Sequence, residues 1–434
     1  MGYITSEGVQ MKETTMPFPT RDIPKVARIK QSLRSDHIKN PRDDVREKLL
    51  AAGLKKKIFP GAHIAITAGS RGMAAFGELV SGIADAIRAA GGKPFIIPSM
   101  GSHGGGTAEG QVELLRRLGI TEKAIKAPVR ATMDTLELGR SKSGAVAHLD
   151  KFAAVADGII VLGGVKAHPE NKVGIASGLL KMTTVGLGKQ LGAQQAHSHG
   201  LWDSVKAVPR ITLARSKVLF GVGVVENAYR QPAIIEVAPA SYDAFRELDE
   251  RLLKASNPYA AYIPFEKLDL LIVDKHGKDI SGTGMDLNVI GKWRVQDGPR
   301  KPDFFRIVVL SLTKASLGNG LGIGLADFTT QRFLKEYDPA STYVNLLTST
   351  EPGAMNTREG PLPLALPSDR EAIQVALWST LSNGKPRVCR IRSTKELEEF
   401  WVSEAVLPEI RPNSKLEILE KPRPMRFDSK GNLF

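Results

Sequence analysis

Of the eight histidines in this 434-residue chain, four fall in or beside glycine-rich turns: His103, His168, His197 and His199. A histidine in a turn after a strand can face a cleft instead of a core. Its imidazole is the side chain best able both to take and to give a proton near neutrality. A single such histidine reads as a cap or a solvated side chain, but four in this pattern point to function. His103 lies in GSHGGGTAEG (101–110), whose glycines allow the backbone to approach a ligand closely and whose following helix start attracts anions. The same segment also reads as an ordinary strand-to-helix connection with Thr107 as N-cap, and the two readings are compatible. It lacks the Gly-Lys-Ser/Thr ending of a P-loop.

The most unusual segment is GVKAHPENKVGIASGLLKMTTVGLGKQLGAQQAHSHG (164–200), rich in lysine, histidine and small residues and poor in the apolar repeats of a core helix. Lys181 follows an apolar pair and precedes Met182. That setting suits either a desolvated nucleophile with depressed pKa or a lysine snorkelling from a helix surface. His197 and His199 are two apart and would point to opposite sides of an extended chain, so at most one reaches a given metal or substrate. Neither HExxH nor a compact His/carboxylate cluster occurs, so an all-protein zinc site is not expected. GLGKQLG (186–192) is one residue off the dinucleotide fingerprint and does not directly follow a strand, which makes it weak support for NAD.

The elements that must position these residues alternate. AHIAIT (62–67), KPFIIPSM (93–100), DGIIVLGG (157–164) and KVLFGVGVV (217–225) read as buried strands, with helices over 43–53, 76–92 and 111–119. Strand, turn and helix in repetition predict an α/β fold with a mainly parallel sheet, whose ligands gather at the C-terminal strand ends. That places the turns at Arg71, His103 and His168 on one face. Asn, Pro and aromatics interrupt the pattern at 255–265. We therefore expect two α/β lobes, residues 1–262 and 263–434, with the active site in the cleft between them. In the second lobe, LDLLIVD (268–274) and RIVVLSLT (306–313) read as strands and TKELEEFWVSEAVLP (394–408) as a charged amphipathic helix.

The net charge is +14, with 42% hydrophobic and 24% charged residues, as in a globular protein with a basic surface and a locally positive site for an anion. Aromatics make up only 6%, and the basic residues are dispersed, which disfavours nucleic acid as a partner. No apolar run is long enough for a bilayer span and no secretory signal is evident. The single Cys389 excludes an internal disulfide and a multi-thiolate site. A cytoplasmic location without membrane association is the expectation.

Taken in order, these residues resemble the nickel-pincer lactate racemase family of 2-hydroxyacid racemases and epimerases, over most of the chain and most densely in 62–200. AGSRG (68–72) is similar to the family's Arg turn, which implies that Arg71 binds the substrate carboxylate and that Ser70 lies beside the cofactor. His103 and the His168-Pro169 pair resemble its two catalytic histidines. SGLLK (177–181) resembles its lysine segment, which makes Lys181 the cofactor anchor through a thioamide bond, with Ser177 and Gly178 beside it. His197 matches the nickel-ligating histidine by spacing, with His199 as the alternative. The implied cofactor is the nickel-pincer nucleotide, a pyridinium-3-thioamide-5-thiocarboxylic acid mononucleotide carrying nickel. Its own sulfur and carbon donors fit a chain short of soft ligands. The implied activity is that of an isomerase inverting C2 of a 2-hydroxyacid by hydride transfer to and from the cofactor, with two histidines exchanging protons. The implied partners are that small substrate and the cofactor-synthesis proteins.

Two departures from the family stand out. Ala68 replaces an acidic residue, and DKHGKDISGTGMDLNVIGKW (274–293) replaces the segment in which lactate enzymes place polar substrate contacts, leaving Lys278, Asp279 and Asn288 as candidates. The expected substrate is thus a hydroxyacid larger or more polar than lactate. An NAD-dependent oxidoreductase and a non-catalytic protein binding an anionic metabolite or nucleic acid are the competing readings.

Overall fold

Short apolar runs closed by glycine-rich turns become strands buried on both faces. The structure is a computed structural model that describes residues 18–70, 74–166, 177–292, 302–348, 360–382 and 384–434. In chain order its first strands are β1 (Val26–Gln31), β2 (His63–Ala68), β3 (Lys93–Pro98), β4 (Thr135–Arg140), β5 (Val146–Asp150), β6 (Gly158–Gly164), β7 (Val218–Glu226) and β8 (Pro232–Pro239). There follow β9 (Lys267–His276), β10 (Asp303–Leu312), β11 (Phe328–Thr330), β12 (Leu364–Leu366), β13 (Val388–Ser393), β14 (Glu396–Ser403) and β15 (Leu416–Arg423).

The first sheet has the order β3-β2-β6-β7-β8, parallel except for β8. Residues alternate between its faces. Ile64, Ile66 and Ala68 of β2 and Ile160 and Leu162 of β6 enter one apolar cluster, while Ala65, Ile159 and Val161 enter another on the opposite face. Helices Phe76–Ala89 and Ala108–Arg117 link its strands; the first stops at Gly91 (φ 88°), and the second is capped by the Thr107 side chain, which accepts from Gly110 N. Between β3 and β6 the chain also forms an antiparallel hairpin, β4–β5, absent from the sequence reading.

The second sheet has eight strands in the order β12-β11-β10-β9-β13-β14-β1-β15. The strands from β12 to β13 run parallel, whereas β14, β1 and β15 are antiparallel to their neighbours. The architecture is therefore a mixed α/β fold with two largely parallel sheets. Two sequence readings are corrected by it. Residues 396–403 form β14, not a helix, because the segment is sandwiched between β13 and β1 with Leu397, Phe400 and Val402 in the core. Residues 26–31, assigned with the rest of 1–262 to the first lobe, pair as β1 inside the second sheet, so the chain visits the second lobe before it builds the first.

Candidate active site

The strand order supplies the location. From β2 the chain moves to β3 on one side, then returns to place β6 on the other, so the crevice between the C-terminal ends of β2 and β6 is a topological switch point. A cavity of about 370 Å³ opens there. Its first-lobe wall is made by residues at and beyond the ends of the parallel strands: Gly69 and Ser70 after β2, Ser99, Met100 and His103 after β3, Gly163 to Lys166 at β6, and Val224, Glu226 to Ala228 and Arg230 at β7. Residues 256–262, which connect the lobes, close one side. Asp286, Asn288, Thr394 and Lys395 of the second lobe face it.

Five of the sequence-selected residues line this one cavity: Ser70, His103, Ser177, Gly178 and Lys181. Arg71 and His168 lie outside the described residues, and so does the whole segment between Lys166 and Ser177. His197 stands half-buried in the last turn of the helix Lys189–Ser198 and is not among the cavity-lining residues. His199 turns away. Its Nδ1 is 3.0 Å from Gln195 O, and its ring packs against Gly144 of the β4–β5 turn, where a Cβ would meet it at 3.2 Å. Among the described residues no group of three or more His, Cys, Asp or Glu side chains could hold a metal. No described helix is long and apolar enough to cross a membrane.

The His103 turn is shaped by glycine. Gly101, Gly104, Gly105 and Gly106 all have φ between 60° and 68°, and a Cβ on Gly104 would come within 2.6 Å of the backbone at Gly110 and Gln111. The turn thus folds back on the start of the next helix, leaving His103 at the cavity.

Lys181 ends a single helical turn, Leu179–Lys181, which runs into a π-type turn, Met182–Gly186. Such turns widen a helix and recur at functional sites. Asp249, 2% exposed on the helix Tyr242–Ser256, accepts from Leu179 N at 2.9 Å and Leu180 N at 3.0 Å. Burial raises its pKa from 3.8 to about 6, opposed by those two N–H donors. Gly178 is needed here for room, since a Cβ would lie 2.3 Å from Asp249 Oδ1. The Lys181 ammonium stands 5.8 Å from the centre of the Trp202 ring, a cation–π arrangement.

Sequence reasoning missed several cavity residues. Glu226 ends the apolar run of β7, and a polar residue at a parallel strand end was the available signal. Burial pushes its carboxyl up, opposed by Arg230 and Lys166. Lys395 stands in the β13–β14 turn and was hidden by the helical reading; the residue as a whole is exposed, but partial desolvation of its ammonium and the nearby Arg230 charge lower its pKa. Of the three second-lobe candidates, Asn288 lines the cavity. Lys278 donates to Gly282 O and Asn345 Oδ1, and Asp279 accepts from Thr313 Oγ1, contacts that secure second-lobe loops. The glycines of GLGKQLG serve packing: a Cβ on Gly186 would meet Met182 Sδ at 2.2 Å and one on Gly188 would meet Thr184 O at 2.4 Å. The segment follows a helical turn and not a strand, so it forms no dinucleotide-binding loop.

Fold and site together define a two-lobed α/β protein with an interlobe cavity at a switch point. No protein-family model and no curated protein matches the chain. Among solved structures it is similar to the lactate racemase apoprotein from Thermoanaerobacterium thermosaccharolyticum, with 13% identity and a TM-score of 0.47 over 85% of this chain and 94% of that one. At that score the likeness bears on neither the activity nor the residues of this chain.

Proposed function

We propose that this protein is a 2-hydroxyacid racemase or epimerase that carries a nickel-pincer nucleotide on Lys181. The supporting observation is the convergence of Ser70, His103, Ser177, Gly178 and Lys181, drawn from the ends of β2 and β3 and from the segment leading into the Leu179–Lys181 turn, on one interlobe cavity. The organic part of the cofactor fits these residues. Lys181 is on the wall, and beside it Gly164 leaves the backbone bare, since a Cβ there would meet nothing within 4 Å. His197 as nickel ligand rests on the sequence resemblance alone.

When bound, the cofactor would supply a reversible acceptor for the C2 hydride. The chain's own residues would do the rest. His103 at the cavity would exchange the hydroxyl proton as base in one direction and acid in the other. Arg71 would hold the substrate carboxylate through paired N–H bonds and His168 would serve the opposite face of C2. In sequence, Arg71 follows the cavity-lining Ser70 directly and His168 stands two residues after the cavity-lining Lys166. Closure of the second lobe over the cavity would exclude water.

The test is production of the chain with the cofactor-synthesis proteins in nickel-replete medium, beside a Lys181→Ala variant. The expected result is a covalent mass increase and about one nickel per chain in the wild type only, with C2 inversion of a 2-hydroxyacid that falls at least roughly a thousandfold in the variant. An unmodified wild-type mass, when a known cofactor acceptor is loaded in the same cells, would sink the proposal.

A further inference from the structure

Behind the glycine turn lies a polar cluster that does not reach the cavity. Lys189 opens its helix in the left-handed region, φ 56°, where a residue with a Cβ is strained. Its side chain is fully buried. The ammonium donates to Pro98 O and to Gln111 Oε1, both at 2.7 Å, and stands 3.6 Å from Asp150 Oδ2. Gln111, also fully buried, directs its amide N–H groups to Gly101 O at 2.8 Å and His103 O at 3.2 Å. Asp150 Oδ1 accepts from Phe152 N and Ala153 N, so this carboxylate is fixed from its other side.

Burial drives Lys189 and Asp150 towards their neutral forms, and each opposes this through its charge on the other. A buried pair of this kind is a weak device for stability, because apolar side chains of similar volume often serve as well. What it does fix is geometry. One ammonium ties the end of β3, the end of β5 and, through Gln111, two carbonyls of the His103 turn to the helix that carries His197.

We infer that Lys189, acting through Gln111, is a positioning residue that sets the His103 turn at the cavity and registers it against the helix Lys189–Ser198. The inference rests on reading His103 as the proton-transfer group, but its test needs no turnover. The full chain, labelled at histidine, is titrated by NMR with the His103 signal assigned through His103→Gln, and backbone amide exchange is followed in parallel. In Lys189→Met the expected result is cooperative unfolding and wild-type circular dichroism. Exchange at Gly101–Gly106 should be about tenfold faster or more, and the His103 titration midpoint should move by about 0.3 pH unit or more while those of His37 and His63 stay put. Gln111→Leu leaves the Lys189 contacts to Pro98 and Asp150 in place and should reproduce the local changes, which keeps the test alive if Lys189→Met does not fold. Folded variants whose turn exchange and His103 titration match the wild type would overturn the inference. So would uniform shifts across all histidines and amides, the mark of a purely structural role. A wild type that takes up no nickel and inverts no hydroxyacid would instead count against the proposed function and leave these readouts unchanged.

Discussion

On the first-lobe side of the cavity, the turns bearing His103 and Lys181 are each held from behind by a fully or almost fully buried polar side chain from a distant element: Gln111 with Lys189 for one, Asp249 for the other. On the second-lobe side the cavity-facing Asp286, Asn288 and Lys395 are themselves half-buried or exposed, although a buried side chain from a distant turn, Thr394, serves as a holder there too. Asp286 Oδ1 accepts from Asn288 N two residues on, and Thr394 Oγ1 accepts from Asp286 N, while Lys395 is exposed in a strand turn. Groups whose bond geometry must be right are placed on a rigid wall, and the facing wall can change its side chains at little cost to the fold. On the proposed function this would divide the labour, with chemistry on one lobe and substrate choice on the other.

The largest expected effect comes from removing a buried holder. Asp249→Ala leaves Leu179 N and Leu180 N without an acceptor in a buried setting, and urea unfolding at about pH 3.5, below the raised pKa of Asp249, should show a loss of about 3 kcal/mol. A loss below about 1 kcal/mol would mean that the Lys181 turn is not held from behind. Next comes pH. Because the folded pKa of Asp249, about 6, lies above its ordinary 3.8, the group's contribution to stability is complete below pH 3.8 and is lost as pH rises through about 6. Relative to Asp249→Asn, wild-type stability should therefore decline by roughly 3 kcal/mol between pH 3.5 and 7, as read by urea unfolding of both proteins across that window. A constant difference would show that burial does not raise this carboxyl. Gly178→Ala is a smaller probe of the same wall, with a clash against Asp249 worth about 1–3 kcal/mol in denaturant midpoint. Smallest is Lys395→Met on the facing wall. Stability should stay within about 0.5 kcal/mol, and KM for the accepted hydroxyacid should rise while kcat stays within about twofold. A large fall in kcat would put Lys395 in the chemistry and erase the proposed division.

The first lobe was legible because its signals are local. Glycine stops and apolar runs mark β2, β3, β6 and β7, and the strand-end rule then brings His103 to the switch point. Thr107 as N-cap was readable for the same reason. The segment 394–408 was not, because what makes it a strand is pairing with β1 and β13, and nothing in ELEEFWVS announces a partner so distant in sequence. Its apolar Leu397 and Phe400 are three apart, a helical interval. Within 164–200 the sequence offered several lysines of similar surroundings. Lys181 stands at the cavity while Lys189 is the fully buried one, a distinction set by Gln111 and Asp150 from other elements. The resemblance set His197 ahead of His199 as nickel ligand by spacing; that the His199 ring lies against Gly144 depends on the β4–β5 hairpin, which spacing alone had not disclosed.

The placement of β1 also bears on how the chain reaches this state. Arg28 of β1 meets Glu399 of β14 across 371 positions. During synthesis the strand therefore emerges long before its neighbours β14 and β15 exist, while β2 to β8 can fold from contacts much closer in sequence. The second sheet closes only after that wait, a high-contact-order step that should be slow and should leave β1 unpaired in the interval. The lobe that forms last is then the one that completes the cavity, so the first-lobe wall can be in place before the wall that faces it.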